Sequence, residues 1–157
     1  MNPRKTLVKS YLRKHPKTPE RVIRGALGEL RRLKADKNLR HICHLQVSNN
    51  DSQIMAANGI GFRRRACTIA NIEHGDTHDE VEAAVTIYHE ALHAKDIADK
   101  GEKGISKANE ISAHVETIEF LRDWQKQEKR PEIQRRLVEE IAEEQESIHI
   151  LNASKEN

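Results

Sequence analysis

Between Asp79 and Asp99 the chain has the apolar spacing of a helix enclosed on nearly every side, yet it carries His89-Glu90-Ala91-Leu92-His93 at its middle. Val81, Ala84, Val85, Ile87, Tyr88, Ala91, Leu92, Ala94, Ile97 and Ala98 leave only a narrow polar strip of Glu82, Thr86, His89, Glu90, His93 and Asp96, bordered by Lys95. A helix that is apolar almost all round has to be covered by the rest of the fold. Polar groups along its one remaining edge then need partners there. Residues four apart lie about 40° apart around a helix and about 6 Å along it, so both imidazoles reach one metal ion. Glu90 projects toward the same rim, where it can take a proton from a metal-bound water. Asp79 or Thr77 suits the N-cap, and Gly101 follows the end.

A catalytic zinc takes three protein ligands and keeps a fourth position for water, so a third ligand is expected outside this helix. Glu110 is the choice, seventeen residues after His93, past Gly101-Glu102-Lys103-Gly104 and at the start of a second helix with an apolar stripe through Ile111, Val115, Ile118 and Leu121. His114, one turn further on, is the alternative ligand if the loop sets that helix one turn differently. Asp96 lies about 10 Å along the axis from His89, too far to share an ion with both imidazoles. It fits better as an outer partner of a ligand.

At this point the sequence resembles the zincin metallopeptidases, in the gluzincin-like branch that combines H-E-x-x-H with a Glu from a downstream helix. Asn109-Glu110 matches the pair often seen there, whereas His114 stands where that branch has an acidic residue orienting a zinc-bound His. The resemblance covers residues 79–117, a quarter of the chain. It implies one zinc ion per chain held by His89, His93 and Glu110, with Glu90 as general base for peptide-bond hydrolysis. His114, His74 and His78 are candidate donors to the developing oxyanion.

The remainder reads as a scaffold. At 157 residues the chain is long enough for one domain with its own core. Residues 1–40 form a basic helical region: Lys14–Pro19 is a turn, Thr18 a candidate N-cap with Pro19 at the first helical position, and Val22, Ile23, Ala26, Leu27, Leu30 and Leu33 recur at helical spacing. Residues 41–73 read as a small sheet, with alternation at 41–48, a possible strand at 53–57 and another from Arg64 to Glu73 after the Asn58–Gly61 turn. Residues 79–126 carry the metal-site helices, and 131–151 a charged helix with Ile133, Leu137, Val138, Ile141 and Ile148. The expected class is α+β, mostly helical and zincin-like, with the sheet packed on the H-E-x-x-H helix. Strands ahead of that helix favour an extended peptide as substrate.

Net charge is only +2, but residues 1–40 hold thirteen Lys or Arg against three acids, and Arg63-Arg64-Arg65 adds a second cluster. This basic half suits nucleic acid or an acidic protein, although 3% aromatic residues leave no stacking platform. Cys43 and Cys67 fall on two expected strands, a spacing that permits a disulfide but fits buried thiols better. A basic amino terminus without an apolar core, and no membrane-length run, point to a cytoplasmic protein or one delivered without a classical signal peptide. The leading reading is a small zinc metallopeptidase of toxin, effector or intracellular regulatory type. Two others stand beside it: a nucleic-acid-associated basic protein, and a helical interaction protein in which zinc is structural.

Overall fold

The computed structural model describes residues 19–48, 53–57, 67–73, 79–100 and 106–154. Expectations for Lys14–Thr18, Asn58–Gly61, Arg63–Arg65, His74, Thr77, His78 and Gly101–Gly104 lie outside the described residues. The elements run α1 (Pro19–Arg32), a 3-10 turn (Lys37–His41), β1 (Ile42–Ser48), β2 (Gln53–Ala57), β3 (Cys67–Glu73), α2 (Glu80–Lys100), α3 (Lys107–Gln127) and α4 (Pro131–Ala153).

The α+β class is corrected: the fold is all-α. Helices of 14, 21, 21 and 23 residues make the framework, against extended segments of 7, 5 and 7. In the order β1-β3-β2, β3 pairs parallel with β1 and antiparallel with β2, so only β3 has a neighbour on both sides. Among the described side chains these strands give the buried apolar core one residue, Ile72, and every other member comes from a helix. The side chains of Cys43 and Cys67 lie outside the described residues.

Local chemistry fixes the helix ends. Asp79 Oδ1 accepts the Glu82 backbone N–H at 2.8 Å, the expected N-cap of α2. Ser106 does the same for α3, accepting from Asn109 N–H at 3.1 Å. α1 closes with Lys34 N–H to Arg31 C=O and Ala35 N–H to Leu30 C=O, a Schellman pair that puts Lys34 at φ 57, a position more often given to Gly. Pro131 opens α4, where a missing N–H leaves no helical bond unmade. A Cβ at Gly25 would come within 2.3 Å of the Glu80 carboxyl, the far end of a flexible side chain on α2 that would have to swing aside.

Val22, Ile23, Ala26 and Leu30 of α1 pack on α2, whose own buried residues include Val81, Ala83, Ala84, Val85 and Ile87. Phe120, Leu121 and Trp124 of α3 and Leu137 of α4 complete this core. Val115 and Val138, expected on apolar stripes, are exposed at 43% and 57%. Ile118 and Leu121 of the expected α3 stripe are buried, and the face that turns inward is completed by Ala113, Thr117, Phe120 and Trp124 rather than by Val115.

Arg136 ties α4 to the start of α2, donating from Nε to Asp79 Oδ2 and from Nη2 to Glu140 Oε1, at 2.8 and 2.7 Å. Its charge is shared among Asp79, Glu139 and Glu140 and is well stabilised. Glu140, 4% exposed, is not compensated in full. Burial, then repulsion from Glu143, push its carboxyl up to about 7 against the pull of Arg136. As pH rises from the ordinary carboxylate range to about 7, the unfolded chain gives up this proton and the folded one keeps it, so stability falls through that window. Glu140→Gln is therefore expected to be more stable than the parent by about 1–3 kcal/mol at pH 8 and equal to it near pH 4. Urea unfolding at both pH values checks this, and a difference that does not change with pH would refute it.

Candidate metal centre

Three helices converge on one cluster. α2 supplies His89 and His93 from successive turns, α3 supplies Glu110 and His114, again one turn apart, and α4 supplies Glu144. His89 Nε2 lies 2.9 Å from Glu110 Oε1, His93 Nε2 lies 2.8 Å from Glu110 Oε2, and the two Nε2 atoms are 3.0 Å apart. His93 is buried at 4% exposure. With one carboxylate oxygen on each imidazole, the three side chains form a closed triangle.

Such a triangle does not satisfy itself. Each Nε2 carries at most one proton and the carboxylate none. If both imidazoles donate to Glu110, two N–H groups are left side by side across the His89–His93 edge with no acceptor between them. A cation at the centre removes that conflict, since all three corners then act as lone-pair donors. At 2.8–3.0 Å these contacts are shorter than the roughly 3.3–3.6 Å edges of a tetrahedral site with bond lengths of about 2.0–2.2 Å, so the three side chains would open by about half an ångström to take the ion. His89, His93 and Glu110 can hold a metal ion, as can an overlapping set of His89, His114 and Glu144, each with ligand atoms within 4.8 Å of one another.

The electrostatics have the same origin. Burial works to raise the Glu110 carboxyl, but hydrogen bonds from His114, His89 and His93 outweigh it and hold the group far below the ordinary carboxylate range. Burial likewise opposes charge on His93, and Glu110, Glu90 and Asp96 together overcome it and raise the imidazole. His114 is pushed up to about 9: burial acts against the cation, while bonds to Glu110 and Glu144 favour it more strongly. The carboxylates of Glu110 and Glu144 are thus what draw positive charge into the cluster.

The other expected site residues fall in distinct places. Glu90 is buried, at 7% exposure, next to His89 in sequence and near enough to His93 for its charge to act there. His114 has both ring nitrogens engaged, Nδ1 by Glu144 and Nε2 by Glu110 Oε1 at 3.3 Å. It cannot offer an N–H to an oxyanion without giving up one of these bonds. Asp96 does not bond the buried Nδ1 of His93, which has no hydrogen-bond partner. Instead Asp96 lines a cleft of about 220 Å³ with Lys95, Lys100, Asn109 and Ser112.

Glu144 is the residue the sequence reading missed. A signal for it existed: Leu137, Ile141 and Ile148 define the inner stripe of α4, and Glu140 and Glu144 fall on that same stripe. A carboxylate on the covered face of an amphipathic helix requires a partner. Here the partner is His114.

No protein-family model, curated protein or solved structure matches the chain. Among the described residues, no helix is long and apolar enough to cross a membrane.

Proposed function

We propose that the protein is a zinc-dependent metallopeptidase in which His89, His93 and Glu110 hold the ion and Glu90 is the general base. The observation that carries this reading is the Nε2–Nε2–carboxylate triangle on two adjacent helices, with the Glu of H-E-x-x-H buried beside it. Imidazole and carboxylate donors in a three-residue set suit zinc, and the 2-His-1-Glu set is one that hydrolytic zinc sites use.

When bound, zinc polarises a carbonyl and lowers the pKa of a coordinated water toward about 7. Glu90 takes the proton of the attacking water and passes it to the leaving amine, so one carboxylate serves as base and then acid. Glu110, as a ligand, would be kept ionised by the charge of the ion itself. A peptide or protein is the substrate class this chemistry serves.

Elemental analysis of the full chain, purified without added metal and again after zinc is offered, tests the reading in the parent, His93→Ala and Glu110→Ala. About one zinc per parent chain, lost in both variants, is the expected result. A parent that takes up no zinc under either condition would overturn it.

A further inference from the structure

His114 and Glu144 are left over once three ligands have been assigned, and both are largely buried. The His114 side chain is 14% exposed and that of Glu144 11%. Glu144 engages His114 Nδ1, which leaves Nε2 as the nitrogen turned toward the cluster, 3.3 Å from the Glu110 oxygen that also contacts His89. The His114 ring centroid stands 4.6 Å from that of His89, the same separation as between His89 and His93. His114 thus stands against both His89 and Glu110. Both ligand sets contain His89, and none joins His93 to His114 as the side chains stand, so a rotation of the His114 ring toward Glu110 is what would bring all four donors to one ion.

Imidazole ligands are commonly held by a carboxylate on their other nitrogen, which fixes the tautomer and the ring direction. The Glu144–His114 pair has that form. It also explains why α4 keeps a carboxylate among Leu137 and Ile141 on its inner face.

Building on the metal-binding reading above, we propose that His114 is a fourth protein ligand to the same ion, held by Glu144 as a positioning residue, so that the resting centre is closed by the chain itself. A centre with four protein ligands has no place for water, and one with three does. Withdrawal of His114 then becomes the step that admits water and substrate, and α4 regulates it through Glu144.

Cobalt(II) makes the coordination visible. The full chain loaded with cobalt is titrated with azide while its visible absorption is followed, and a competing chelator gives the metal affinity. The parent is expected to show four-coordinate bands that azide does not alter. His114→Ala is expected to bind azide with a spectral change, and Glu144→Gln to hold cobalt about 10–100-fold more weakly with azide access partly restored. A parent that binds cobalt and responds to azide as His114→Ala does would overturn the fourth ligand and leave the three-ligand site standing. A parent that binds no cobalt would overturn both. The parent's own azide response needs no variant, so a folding defect in His114→Ala does not blunt the test.

Discussion

Glu90→Gln is expected to leave the metal content at the parent level while peptide hydrolysis falls by at least about 10²–10⁴-fold, the usual worth of a positioned acid–base group. Glu90 belongs to neither ligand set, so the amide has no reason to release the ion. Gln matches Glu in volume, so the buried site need not repack. What disappears is the ability to accept a proton. The measurement pairs elemental analysis with single-turnover cleavage of a peptide library, and hydrolysis equal to the parent's would remove Glu90 from the mechanism. Loss of metal together with activity would assign Glu90 to the ligand set instead.

The second large effect concerns stability. Trp124→Ala should lower the unfolding free energy by about 3–5 kcal/mol, a large share of the 5–15 kcal/mol a domain of this kind has. Trp124 is 1% exposed, packs beside Phe120 at 5.7 Å, and donates its Nε1–H to Glu128 Oε1 at 3.0 Å. Glu128 in turn accepts from the Arg130 side chain and from the backbone N–H groups of Lys129 and Arg130; the Arg130 side chain first, then its backbone N–H and the indole, hold the carboxyl down at about 2. The indole therefore fills the core and also anchors the turn between α3 and α4. Val138→Ala, at an exposed site on α4, is the control and should change stability by less than about 0.5 kcal/mol. Denaturant unfolding compares them, and a Trp124→Ala loss below 1 kcal/mol would show that the core closes over the gap.

The sequence was most informative where one helix decides the geometry. His89 and His93 meet because residues four apart share a face, and the same arithmetic keeps Asp96 out of both ligand sets. Glu110 was within reach of such reasoning because its helix follows after one short loop. Glu144 was not, since its place depends on how α4 docks against α3, thirty-four residues after Glu110. Val115 shows a related limit: periodicity reveals that α3 has apolar stripes, but neighbours decide which stripe turns inward. The fold class was misread for a different reason. Alternation is a signal about a few residues at a time, whereas class depends on which elements enclose the core, and here helices do so.

The placement of Glu144 on the last helix has a consequence for biosynthesis. A chain emerges at about 5–20 residues per second, so the thirty-four residues between Glu110 and Glu144 correspond to roughly 2–7 seconds of translation. During that interval His89, His93 and Glu110 already exist and His114 has no carboxylate to hold it. The His114–Glu144 pair, which ties α3 to α4, is therefore the last contact of the cluster to form as the chain is made.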